Sequence, residues 1–247
     1  MPSLQQPHRV LLTGFGPFRQ YKQNPSWLAA QQLHDTELHT PRGSPIHVSA
    51  FDVPVVYSTV LDMVPGLHVA PPKLPADVSA NFPMPPATGY TLIVHVGVGR
   101  AQPLRIEVFG DKDHYPEADH HREYAPIIDN SSNPPLRGFV SARYMQSPNK
   151  LRIKLNIEEL VHKCAEDGLH TVISEDAGHY LCDFIFYCSL AESELAKRGT
   201  PVMFVHCPPL DLPATAVIPP HTPRTAEAIA DGLGTIIRRA CEMIEKM

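Results

Sequence analysis

Short runs of apolar and β-branched residues alternate along this chain with stretches whose apolar positions recur at helical spacing. Runs at residues 9–13, 46–53, 90–96, 105–109, 170–173 and 202–206 have the composition of strands. A helix is expected to open at Asn24-Pro25-Ser26, where asparagine can cap free N–H groups and proline at the first helical position has no N–H to lose. Trp27, Ala30 and Leu33 give it an inward stripe. Further helices are expected over 157–164, over 178–197 and from about 225 to the end, where Ile229, Leu233, Ile236 and Ile237 keep the period. Such alternation specifies an α/β sheet covered on both faces.

Two stretches break the pattern. Residues 65–88 hold seven prolines, a density that argues against helix and central strand and predicts a surface insertion. Residues 110–150 mix histidine, aspartate, asparagine and proline, and predict a long irregular loop.

Composition narrows the class. With 247 residues, 43% of them hydrophobic, the chain can close one sizeable core, so a single domain is expected. Lysine and arginine total 21 against 26 aspartate and glutamate, a net charge of −5, which supplies no long-range attraction for nucleic acid or an anionic membrane. The N-terminal MPSLQQPHRV has no basic region followed by a long apolar run, and no stretch approaches the roughly 20 apolar residues of a membrane span. Five cysteines, at 164, 182, 188, 207 and 241, form no C-x-x-C pair. Free thiols in a reducing, cytoplasmic setting are the expectation, rather than a disulfide framework or a zinc ribbon.

One segment brings chemistry into this frame. Ile173 to Asp183 passes from a buried strand through a small-residue turn into a helix, which places Cys182 near the helix start. Unpaired N–H groups there favour a thiolate, the nucleophilic form; the alternative is a buried structural cysteine. His206 ends an apolar strand at a Pro-Pro turn, the strand edge where ligands collect in open α/β sheets. It can take the thiol proton and later return it, or it can be a capped core histidine. Glu107 is a carboxylate among apolar neighbours and needs a partner, either an imidazole N–H or the nearby Arg105.

The runs TGFGPF with NPS, HVGVG with a downstream glutamate, ISEDAGHYLCDF and FVHCPPL occur in this order over nearly the whole chain. Together they resemble the pyroglutamyl-peptidase I (pyrrolidone-carboxylate peptidase) family in its eukaryotic form. The most specific of them is S-x-D-A-G-x-Y-L-C-[DN], carried by Ser174, Asp176, Ala177, Gly178, Tyr180, Leu181, Cys182 and Asp183. The resemblance implies Cys182 as nucleophile, His206 as base, Glu107 as the group that orients it, and Phe15 and Phe18 as ring-binding aromatics. It implies an α/β fold, a single-domain three-layer α/β/α sandwich over residues 1–247 with a mixed, mostly parallel sheet. The implied activity is that of a cysteine peptidase acting on small peptides with an N-terminal pyroglutamate, without metal or organic cofactor. Members occur as monomers and as tetramers, so no oligomeric state follows.

Some positions depart from the family pattern. Arg19 stands where glycine is usual, and a positive φ there would strain the loop. Lys112 stands where an asparagine is common, five residues after Glu107. These changes favour, as the alternative function, a non-catalytic peptide-binding member of the same fold. Gly14 to Arg19 lacks the third glycine of a nucleotide loop, and Pro17 removes a donor. Asp111, Asp113, His114, Asp119, His120 and His121 are metal-ligating types without a ligand spacing, which reads as a solvated loop.

Overall fold

The computed structural model describes residues 7–213 and 215–247. Residues 1–6, six of the ten in the N-terminal stretch considered above, lie outside the described residues. In chain order the elements are β1 (His8–Phe15), α1 (Pro25–Ala30), β2 (Thr36–His39), β3 (Pro45–Val53), α2 (Tyr57–Leu67), β4 (Leu92–Val98), β5 (Leu104–Glu107), β6 (Phe109–Asp111), β7 (Ile127–Asp129), β8 (Leu136–Arg137), β9 (Lys150–Arg152), α3 (Ile157–Glu166), β10 (Thr171–Ser174), α4 (Leu181–Leu195), β11 (Val202–Cys207) and α5 (Ala226–Ile244).

Seven strands form one sheet in the order β10-β5-β11-β4-β1-β3-β2. Pairing is parallel except where β5 meets β11 and β2 meets β3. This is the mixed, mostly parallel α/β sheet expected. Helices α1 and α3 each pack on α5, and α2 packs on α4, which gives a helical layer for each face. A strand covered on both faces must be apolar throughout rather than alternating. Apart from His95 and His206, β4 and β11 meet that demand, as do Val10, Leu11 and Leu12 of β1, which are fully buried. Each such side chain contributes about 1.5–3 kcal/mol by leaving water. The outermost strands, β10 and β2, are correspondingly less buried.

Three boundaries differ from the sequence expectation. The strand expected over 105–109 splits at Val108: its N–H donates to Ser174 O, its carbonyl accepts from Ile153 N, and Phe109–Asp111 leaves the main sheet to pair with β9. The helix expected from 178 starts at Leu181, because Gly178 adopts φ +84 and Tyr180 is extended. A helix, α2, runs into the proline-rich stretch, with Pro65 in its last turn, where a missing N–H removes only one intrahelical bond. Beyond Leu67 that stretch has neither helix nor strand up to residue 88. Phe82 folds back onto Phe51 and stacks on His34. Within 110–150, β7 and β8 form a short antiparallel pair.

The loop after β1 is held against α1 at contact distance. A Cβ on Gly14 would lie 2.6 Å from Trp27 Cα and 2.7 Å from Trp27 N, both backbone atoms that cannot rotate aside. Gly14→Ala is therefore expected to lower stability by about 1–3 kcal/mol in urea denaturation, as overpacking does. A variant as stable as the parent would show that α1 does not brace this loop.

Candidate active site

The sheet register decides which side chains meet. His206 pairs with Arg105 across the antiparallel β11–β5 contact, and Phe204 pairs with Glu107. Residues two apart on a strand share a face, so Glu107 is the diagonal neighbour of His206 on the face that carries Arg105. His206 Nδ1 lies 2.6 Å from Glu107 Oε1, and the Arg105 guanidinium lies 3.2 Å from that oxygen and 3.2 Å from Nδ1. Nδ1–H therefore donates to the carboxylate, which fixes the tautomer and leaves Nε2 as the accepting nitrogen. The two partners considered for Glu107, an imidazole and Arg105, are both present.

On the other side of β11, His206 pairs with Gly97 of β4. A Cβ on Gly97 would lie 2.7 Å from Cys182 Sγ, so the absence of a side chain at Gly97 is what admits the sulfur. Cys182 is the second residue of α4, whose N-cap, Tyr180, makes no side-chain capping bond. The first-turn N–H groups thus have no side chain drawn over them. Asp183, fully buried, ties this turn to the β6 end: it accepts from Asp111 N and Tyr115 Oη, each at 3.0 Å.

Cys182 and His206 share one cavity of about 310 Å³ with Phe15, Phe18, Arg19, Val55 and Tyr180. Phe15 is carried by β1 and Phe18 by the loop after it. That loop is held by the NPS run: Phe15 N donates to Ser26 Oγ, Asn24 Nδ2 donates to Gly16 O, and Asn24 Oδ1 accepts from Ser26 N and Oγ. Phe18 and Tyr180 rings sit 5.4 Å apart. A larger groove of about 560 Å³, between α2 and the proline-rich stretch, has no cysteine or histidine in its walls.

The five residues singled out from sequence therefore come together: four line the cavity and Glu107 lies directly behind His206. Arg19 adopts φ +50, the left-handed conformation that glycine takes most readily. Its guanidinium lies 4.8 Å from the Phe18 centroid and 5.3 Å from that of Tyr180, and it pairs with Glu117. Lys112 points elsewhere, donating to Met145 O and Ser147 O. Tyr180, Arg105, Asp183 and Glu117 complete the surroundings. The sequence marked Tyr180 and Asp183 through their run, and Arg105 only as a neighbour; Glu117 had no local signal. Asp119 accepts from Tyr57 N at 3.0 Å and so caps α2, for which Val56 offers no side-chain acceptor. Among the described residues no three histidine, cysteine, aspartate or glutamate side chains converge to hold a metal ion.

The electrostatics favour a neutral resting pair. Cys182 lines the cavity but is partly buried, and this burial pushes the thiol up to about 12. Glu107 and Asp183 act in the same direction, while Arg105 opposes them. Burial pushes His206 below its ordinary 6.5, with the Glu107 hydrogen bond opposing. Asp183 is itself raised to about 8 by burial.

The sequence pattern of the family described as pyroglutamyl peptidase matches residues 128–238. Pyroglutamyl-peptidase 1 of Mus musculus is 30% identical over 217 residues, covering 86% of this chain and 85% of the mouse protein. The Homo sapiens protein of the same name is 28% identical, covering 98% and 95%. The crystal structure of pyroglutamyl peptidase I from Bacillus amyloliquefaciens superposes with a TM-score of 0.71 at 19% identity, covering 96% of this chain and 98% of that one, which shows the shared fold.

Four of the five thiols are buried and only Cys182 is partly accessible. Iodoacetamide is therefore expected to modify Cys182 alone in the native protein, at a rate that still rises with pH above 9, because the thiolate forms late. A rate that levels off below pH 8 would show a thiolate already present.

Proposed function

The chain belongs to the pyroglutamyl peptidase family, and from that premise we propose that Cys182, His206 and Glu107 hydrolyse the bond after an N-terminal pyroglutamyl residue in small peptides. The observation that carries the reading is the line of contacts from Glu107 through His206 Nδ1 to a cavity that also holds the Cys182 sulfur.

Pyroglutamate is a flat, neutral lactam with no free α-amine, so recognition must rest on shape and ring contact. Phe15 and Phe18 supply aromatic faces for it, held in place by Asn24 and Ser26. His206 Nε2 removes the Cys182 proton as sulfur attacks the carbonyl carbon, and the oxyanion takes N–H donors from the uncapped first turn of α4. Collapse breaks the C–N bond, His206 returns its proton to the departing amine, and an acyl-enzyme remains on sulfur. Water, deprotonated by the same nitrogen, then releases pyroglutamate and restores the thiol. Glu107 keeps the ring in one tautomer and balances the transient imidazolium. Every proton is carried by a side chain of this chain, so the scheme requires no cofactor.

Arg19 and Lys112 do not favour the alternative of a non-catalytic binder, since neither displaces the nucleophile, the base or the carboxylate. A cytoplasmic setting is supported by five free thiols. Among the described residues no helix is long and apolar enough to cross a membrane.

Cys182→Ala is expected to lower release of the fluorophore from a pyroglutamyl aminocoumarin amide by at least about a thousandfold. Cys188→Ser, on the buried side of α4 next to Tyr144, is expected to keep most of it. Equal activity in the two variants would contradict the assignment. The base works only when neutral, and His206 is shifted down, so its neutral form persists below 6.5 and is lost as pH falls further. The acid limb of kcat/KM is thus expected to have its midpoint below 6.5; a midpoint above 7 would exclude a buried imidazole as the base.

A further inference from the structure

We infer that Arg105 is a positioning residue of the catalytic charge chain, which shares the Glu107 carboxylate with His206 and thereby sets the pH range over which the imidazole can act. The inference rests on the roles proposed for His206 and Cys182. Arg105 stands directly opposite His206 in the β11–β5 register, with its side chain 14% exposed and that of Glu107 fully buried. One guanidinium nitrogen and Nδ1–H converge on a single oxygen, Glu107 Oε1, and lie 3.2 Å from each other. Glu107 Oε2 and Arg105 Nε, both buried, make no hydrogen bond. A guanidinium that neutralises a carboxylate frequently takes the two-pronged arrangement, with both oxygens engaged. This one is turned so that its charge is brought to bear on the histidine.

A guanidinium and an imidazolium held beside one oxygen and 3.2 Å apart repel each other, so Arg105 disfavours the imidazolium that Glu107 favours. The other groups facing His206 are Cys182 from α4 and Asp176 from the turn before it, with Cys207 beside it on β11. Arg105 also favours the Cys182 thiolate. The proton donor and the proton acceptor of the attack step are therefore moved in the same direction. The difference between them, which drives proton transfer, changes little, while the working range slides toward acid.

This separates Arg105 from a residue that only holds the fold. Arg105→Gln is expected to raise the acid-limb midpoint of kcat/KM by about one pH unit, the effect of one charge within about 4–6 Å. kcat/KM is expected to fall further on the acid limb than on the plateau. Arg105→Lys, which keeps the charge, is expected to return the midpoint toward the parent value. Should the glutamine variant fail to fold, Arg105→Met carries the same test. In the Cys182→Ala background, the His206 ring proton, identified by its loss in His206→Ala, is expected to titrate higher when Arg105 is replaced by glutamine. That arm needs no turnover, so it judges Arg105 even if the parent protein leaves pyroglutamyl amides uncut, a result that would instead overturn the proposed function. A fall in plateau kcat with an unmoved midpoint and an unmoved ring titration, or a lysine variant displaced as far as the glutamine one, overturns the inference.

Discussion

The 2.6 Å hydrogen bond between His206 Nδ1 and Glu107 Oε1 is the interaction on which the rest of the site depends. It lies inside the sheet, where an unpaired carboxylate would be costly, and it follows from the register that sets β5 antiparallel on β11. That register is thus a condition of the chemistry. The apolar central strands β1, β4 and β11 supply the rigid platform, and glycine at position 97 opens it to the sulfur.

Around this bond the structure keeps charge low until substrate arrives. The thiol is raised by burial and the imidazole lowered by it, so the stable resting form has both neutral. In the proposed reaction the N–H groups at the start of α4 meet the negative charge that develops on oxygen. A thiol at a helix start suggests a preformed thiolate when only sequence is considered. Burial and the neighbouring carboxylates outweigh that influence here, which is a tertiary effect that spacing along the chain does not display.

Much of the fold was legible because its signals are local. The apolar runs of β1, β3, β4 and β11, the Asn24-Pro25 helix start and the period of α5 follow from neighbours in sequence. The elements that escaped depend on distant partners. Asp119 caps α2 from 62 residues away, β2 is a short edge strand made by pairing with β3, and the break at Val108 reflects competition between β10 and β9. The site divides in the same way. Cys182, His206, Glu107, Phe15 and Phe18 stand in recognisable runs, whereas Arg105 acquires its meaning only from the register of β5 on β11. Arg19 was suspect as an arginine in a glycine position, and the structure shows how it is accommodated, with positive φ, stacking near Phe18 and Tyr180, and a partner in Glu117.

The central claim is that Cys182 carries the acyl group in a chain of contacts leading back to Glu107. Acid-quenched mass spectrometry of the protein mixed with a pyroglutamyl ester tests it most directly. The account predicts one pyroglutamyl adduct on the peptide holding Cys182, accumulating when His206→Ala slows deacylation. Turnover with no adduct, or an adduct on Cys188 or any other residue, would contradict it.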